Sequence, residues 1–462
     1  MKNILIIVMD HVLFYKHDVF RPGYEYLKKK SICFANAYSV SPLCCPARRS
    51  ILTGLYPHNH RQLDNGSKAP LNKETYYGAL LKKGYKCEYY GKLHIGNGTI
   101  QDLKIDGFSM EGYGNPYKLK EYQKYLKENN LPPPLVKNKY SESEIAKYPE
   151  NKIIDLTTID NLYALCFGEF ISPKECHEAF FLAKTINKRL EHFKKTQEPF
   201  CLRVDFFGPH QPYYPTKEYI DMYKNIKLYP SFYDNLKNKP ACYFSDQGLN
   251  NSLNGKIITP NNISETRWKD MLRISYAENT LFDDALLSIV KKVEELKLDE
   301  NTAIIFLADH GDALASHGGH IDKDSYLSEE VLRVPLLCYV PHIKPYIETK
   351  EVLNFDISKT ILSLADTDYS SSVDALSLLS NKKRDYIVCS TFGHFMKHHA
   401  RAVIKNNYKY VFNDENMIDE FYNLNDDPYE MNNLIFDNKY SDIIQKYKEY
   451  LSTWEAKEGY KY

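Results

Sequence analysis

Three short apolar runs constrain this chain more than any other feature: "NILIIVM" at 3–9, "PFCLRVDFFGPH" at 199–210 and "TAIIFLADHGD" at 302–312. Each is a continuous apolar run rather than an alternating one, the mark of a strand buried on both faces. Such strands belong to parallel sheets with helices on either side. Each run also ends in residues able to do chemistry: Asp10 and His11, then His210, then Asp309 and His310. Functional groups gather at the carboxyl ends of strands in open parallel sheets, so these residues are expected to meet. Helical periodicity at about 73–83 (closed by Gly84), 176–195, 264–298 and 355–365 alternates with the strands. The expected fold is α/β, a large mostly parallel sheet sandwiched by helices.

The 462 residues suit one large α/β unit with an appendage. The catalytic unit is expected over 1–384, with an irregular insertion at about 98–175 that carries Pro132–Pro134 and many Lys, Asn and Tyr residues. From 385 the texture changes. "YIVCST" and "RAVIKNNYKYVFN" predict a small antiparallel sheet with a hairpin turning at Asn406–Asn407, and 440–457 predicts a closing amphipathic helix.

Lys+Arg and Asp+Glu balance at 60 each, which argues against nucleic acid or an anionic membrane as a partner. The N-terminal apolar run is broken by Asp10 and His11 before it reaches the length of a secretory core, and no run approaches the ~18 residues of a membrane span. A cytoplasmic location is therefore expected, and the abundance of Lys, Asn, Ile and Tyr suits a bacterial source.

The ten cysteines contain no CxxC pair, so buried reduced thiols are the expectation for most. "SPLCCPARRSILTG" at 41–54 differs, being polar and Pro-bounded. A helix starting just after Pro46 would leave free N–H groups near residue 44, with Arg48 a turn further on. That setting is expected to bind anions and to lower a thiol pKa.

From Cys44 the stretch reads Cys-x-Pro-x-Arg and closes on Leu52-Thr53-Gly54. It resembles the signature of the type I, formylglycine-dependent sulfatases, of the alkaline-phosphatase-like superfamily. The register makes Cys44 the candidate and Cys45 its variable neighbour. "YGKLHIG" (Lys92, His94), "VDFFGPHQPYYP" (His210), "FLADHGDALASHG" with "DKDSYLSEEVLRVPLL" (Asp309, His310, Lys323), and the tail "NNYKYVFN…EFYNLNDDPYEMNNL" resemble further elements of the family in order.

The resemblance implies a sulfuric ester hydrolase acting on a small sulfated substrate, a sulfated sugar first. It implies that a separate partner, a formylglycine-generating or anaerobic sulfatase-maturing enzyme, oxidises Cys44 to formylglycine. A hydroxyl of the hydrated aldehyde then attacks sulfur, aided by a metal and Arg48. Lys92, Lys323 and His210 are to hold the sulfate oxygens and the departing oxygen, and His94 is to take the proton that releases sulfate.

Asp10, His11, Cys44, Asp309 and His310 form the implied set around one divalent cation, Ca²⁺ first and Mn²⁺ second. His11 departs from the family's usual Asp-Asp, and either ligates or stands behind the ligands. His394 and Arg401, in "STFGHFMKHHAR", are candidate substrate contacts; His320, His398 and His399 are either further contacts or surface histidines, with exposure the default for a loop histidine such as His320. Two other readings compete: a phosphonate monoester or phosphodiester hydrolase of the same superfamily, and a binder of sulfated glycans without turnover.

Overall fold

The computed structural model describes the chain except residues 1, 111–113, 141–149, 161, 163–165, 245–262, 321, 324, 395–396, 415 and 461–462. Its centre is an eight-stranded sheet. In chain order the strands are β1 (Asn3–Met9), β2 (Ile32–Phe34), β3 (Lys86–Lys92), β4 (Asp106–Met110), β5 (Phe200–Asp205), β6 (Thr302–Ala308), β7 (Leu336–Tyr339) and β8 (Tyr346–Glu348). Their spatial order is β8-β2-β7-β6-β1-β5-β3-β4. The run β6-β1-β5-β3-β4 is parallel throughout, and β7 alone opposes its neighbours.

The three apolar runs are thus three adjacent central strands. Ile4 to Val8 and Ala303 to Ala308 are almost without exposure, because helices cover both faces. The longest helices, Glu178–Thr196 and Glu265–Glu295, lie within a residue or three of the bounds expected from periodicity. Both contribute an apolar stripe to the core, including Phe181, Leu182, Ile186 and Leu190 from the first and Leu281, Phe282, Leu286 and Ile289 from the second.

Register decides what the strand ends bring together. Met9 pairs with Ala308, so Asp10 and Asp309 follow as neighbours on two parallel strands. Asp205 pairs with Val8 on one side and Gly91 on the other, which sets Lys92 one step beyond.

The segment 98–175 supplies the edge strand β4 and a separate three-stranded sheet of Leu135–Tyr140, Ile153–Asp155 and Phe167–Phe170. Parts of it (111–113, 141–149, 161 and 163–165) lie outside the described residues. Beyond 385 the strands Ile387–Phe392, His399–Lys405, Tyr408–Asn413 and Glu420–Asn423 form an antiparallel meander. Its hairpin turns at Asn406 and Asn407, both with positive φ (50° and 61°), as that two-residue turn requires. Helix Ser441–Glu458 closes the chain through Ile444, Tyr447, Leu451 and Trp454, at helical spacing on one face. No described helix is long and apolar enough to cross a membrane.

Candidate active site

The signature forms helix α1, Cys44–Thr53, ended by Gly54 in the left-handed conformation. Cys44 is its first residue, slightly earlier than a start after Pro46, and Pro46 occupies the first turn, where its missing N–H costs nothing. Arg48, one turn on, is fully buried. It donates from Nη2 to Asp10 Oδ2 (2.9 Å), from Nε to Asp309 Oδ2 (2.7 Å), and from Nη1 to Asp205 Oδ2 (2.8 Å) and the Lys92 carbonyl (2.7 Å). The planar fork of a guanidinium suits such multiple pairing.

These bonds leave one oxygen of each strand-end aspartate on the other side. Asp10 Oδ1 is buried and accepts no hydrogen bond, while Asp309 Oδ1 accepts from the backbone N–H of His310 (2.9 Å). His310 directs Nδ1 at the Gly311 carbonyl (2.9 Å), so Nδ1 carries the proton and Nε2 presents a lone pair. That Nε2 lies 3.0 Å from Cys44 Sγ and 3.8 Å from both Asp10 Oδ1 and Asp309 Oδ1. Donor atoms of Asp10, Cys44, Asp309 and His310 lie within 4.8 Å of one another. Two carboxylate oxygens, one of them buried and orphaned, an imine nitrogen with its other nitrogen tied down, and the side chain of residue 44 make a donor set that fits a divalent cation.

Positive side chains border this point. Lys92 Nζ stands 2.5 Å from Asp10 Oδ2, and Lys323 Nζ lies 2.9 Å from Asp322 Oδ1 and 3.4 Å from His210 Nε2. Burial opposes ionisation of Asp10, but Lys92, Arg48 and His310 hold its pKa far below the carboxylate range. Burial equally opposes the charge on Lys323, yet Asp322, Cys44 and Asp10 hold its pKa well above the lysine range. His94 and His210 go the other way: burial and then the neighbouring lysines push both well below the usual histidine pKa. The site therefore pairs permanent cations with two neutral histidines.

Cys44 corrects an expectation. Its pKa is raised rather than lowered, because burial, reinforced by Asp10 and Asp309, outweighs Lys323 and Lys92. A thiolate nucleophile is disfavoured at this position. Cys45 is equally buried, its N–H donating to Asn65 Oδ1 (3.0 Å) and its Sγ 4.0 Å from the Asn65 carbonyl oxygen.

His11, with φ 63°, adjoins this cluster, with its Nε2 3.2 Å from Asp312 Oδ1 and 3.5 Å from Asp322 Oδ1. Its ring meets His210 edge-on at 4.4 Å. Arg401 is engaged elsewhere, with Asp414 (3.3 Å) and with Glu455 of the closing helix (3.2 Å). His394 is half-buried.

The surface reading fails for three histidines. His320 is buried beside Tyr326 (3.1 Å), and His398 is buried between Ser325 (3.0 Å) and Asn413 (2.9 Å). His399 is half-buried, stacked on Phe392 and paired with Asp414 (2.6 Å).

Sequence reasoning missed Asp205, Asp312 and Asp322. Asp205 had a signal, because it ends a buried run as Asp10 and Asp309 do. The other two lie in a loop without periodicity.

A profile of the sulfatase family matches residues 2–367, and one for the C-terminal part of N-sulphoglucosamine sulphohydrolase matches 316–457. The chain is 25% identical to an uncharacterized sulfatase, YidJ, of Escherichia coli, over 91% of this chain and 79% of that one. It is 26% identical to human N-acetylglucosamine-6-sulfatase, over 75% of this chain and 57% of the other. Among solved structures, the phosphonate monoester hydrolase of Agrobacterium radiobacter superposes with a TM-score of 0.78 at 17% identity, covering 99% of this chain and 96% of that one, a likeness of fold. With a family profile spanning most of its length, the chain belongs to the sulfatase family.

Proposed function

We propose that this enzyme hydrolyses a sulfate ester, carried by a sugar or another small substrate, with residue 44 in its formylglycine form. The observation that carries the reading is the convergence of Cys44, Asp10, Asp309 and His310 on one point, within reach of Arg48, Lys92, Lys323 and His210. Oxidation of Cys44 replaces a buried, protonated thiol by an aldehyde whose hydrate carries the attacking hydroxyl. Asp10, Asp309, His310 and residue 44 would hold one divalent cation, Ca²⁺ before Mn²⁺, which when bound supplies Lewis-acid activation.

The chain's own residues do the rest. Arg48 fixes both strand-end carboxylates so that their remaining oxygens face the centre. Lys92 and Lys323 set two ammonium groups where sulfate oxygens and the departing oxygen would carry charge. His210, held by the Gln211 carbonyl (3.0 Å) and next to Lys323, is placed to hydrogen-bond the leaving oxygen. His94, neutral at physiological pH, is the base that accepts the proton released with sulfate. A sugar ester is favoured because both the C-terminal profile and the human relative carry names of sulfated-glucosamine hydrolases.

The test is a comparison of aryl sulfate and aryl phosphonate monoesters at equal concentration, with protein made alongside a maturation enzyme. Sulfate release should exceed phosphonate cleavage at least tenfold, and the reverse ranking would favour the phosphonate reading. Cys44→Ala should abolish turnover while Cys45→Ala keeps most of it. Turnover surviving in Cys44→Ala would remove the nucleophile assigned here.

A further inference from the structure

A second cluster of buried ionisable groups lies where the segments 229–239 and 312–330 meet the C-terminal sheet. His317, Glu330 and Glu430 are each 1% exposed. Each is oriented through one polar atom. His317 Nδ1 lies 3.0 Å from Asp234 Oδ2, Glu330 Oε1 accepts from Ser231 Oγ (3.0 Å), and Glu430 Oε2 accepts from the Glu329 N–H (2.6 Å). The other atom of each, His317 Nε2, Glu330 Oε2 and Glu430 Oε1, is buried as well; the first two face each other at 3.4 Å and the third meets Lys409 Nζ at 2.5 Å. The three residues offer donor atoms within 4.8 Å of one another.

Charge points the same way. The cluster holds five buried carboxylates, Asp234, Glu329, Glu330, Glu420 and Glu430, against three cations, Lys239, Arg333 and Lys409. Uncompensated buried charge is strongly unfavourable, so two further positive charges are required. Two protons, on His317 and Glu430, could supply them, as could one divalent cation.

Geometry favours the cation. A protonated His317 would draw Glu330 into a charge-assisted hydrogen bond of about 2.7–2.9 Å, whereas Nε2 and Oε2 stand 3.4 Å apart. Two ligands of a tetrahedral metal with bonds of about 2.1 Å stand about 3.4 Å apart. The histidine's other nitrogen on a carboxylate is the outer partner that metal-bound imidazoles ordinarily have. Lys409 Nζ, 2.5 Å from Glu430 Oε1, is shared with the Leu327 carbonyl (2.8 Å) and Glu329 (3.1 Å). A carboxylate oxygen has two lone pairs, so that contact leaves one for a metal.

We propose that His317, Glu330 and Glu430 form a second divalent-metal site, separate from the Asp10–Asp309 site, that ties the C-terminal sheet to the loop carrying Lys323. One imidazole and two carboxylates select Zn²⁺ or Mn²⁺ over Ca²⁺ or Mg²⁺.

Wild-type protein, stripped with a chelator and reloaded with Zn²⁺, would be crystallised and its anomalous scattering recorded at the zinc edge. A peak between His317 and Glu330 is expected. Its absence there overturns the proposal, whether or not the Asp10–Asp309 site is filled. In solution, bound zinc per chain should fall by one equivalent in both His317→Gln and Glu430→Gln. Unchanged zinc content in either variant counts against that residue as a ligand. Neither readout depends on what residue 44 becomes or which ester is cleaved.

Discussion

At the scale of single residues, Arg48 organises the centre. Its guanidinium meets Asp10, Asp205 and Asp309 at 2.7 to 2.9 Å, all with no exposure. Removing one partner of a buried ion pair typically costs about 3–5 kcal/mol, because the stranded charge has no water to turn to. Arg48→Met keeps much of the volume and removes the charge, so a stability loss of that size is expected in denaturant titration, together with loss of turnover. A loss below about 1 kcal/mol would mean that another cation, metal or lysine, already balances the three carboxylates.

At the scale of elements, the sheet brings the active residues together by register, and Gly91 is where that register is tightest. Gly91 has φ 108°, and a Cβ there would lie 2.0 Å from the Asp205 carbonyl oxygen on the neighbouring strand. Neither the backbone conformation nor the space suits an L side chain. Gly91→Ala should push β3 from β5, moving Lys92 and Asp205 together. Strain of this kind costs on the order of 1–3 kcal/mol. The expected readouts are a melting temperature lower by several degrees and a turnover reduced at least tenfold. Wild-type values for both would show that the site tolerates a shifted strand.

At the scale of the whole molecule, buried titratable groups set how stability follows pH. Outside the cluster around Arg48, burial lowers the pKa of His17, His58 and His399 to about 4 and that of His60 well below the usual value. Burial also raises Glu178 and Asp283 to about 7. Between about pH 4.5 and 6.5 the unfolded chain protonates those histidines and the native state does not, so they lose stabilising effect as pH falls. The two carboxyls act oppositely, since the native state keeps protons that the unfolded chain has released. Histidines outnumber carboxyls, leaving a net uptake of about two protons on unfolding. The melting temperature should therefore fall as pH is lowered from about 6.5 to 5. A flat or rising profile would mean that several of these histidines are protonated in the native protein.

What the sequence determined by itself is what depends on near neighbours along the chain. Continuous apolar runs fix buried strands, so Asp10 and Asp309 could be placed at strand ends before any contact was known, whereas the third strand ends at Asp205 and leaves His210 in the loop beyond. Asn406–Asn407 tolerates positive φ, so the hairpin was legible, and so were the helices at 178–196 and 265–295. Motif spacing likewise separated Cys44 from Cys45. Tertiary structure alone decided which groups share a buried volume. It gave Arg48 a third carboxylate in Asp205, raised rather than lowered the Cys44 pKa, and buried His320 and His398. Burial and charge balance are sums over segments hundreds of residues apart, as between Arg48 and Asp309, and no local pattern carries that sum.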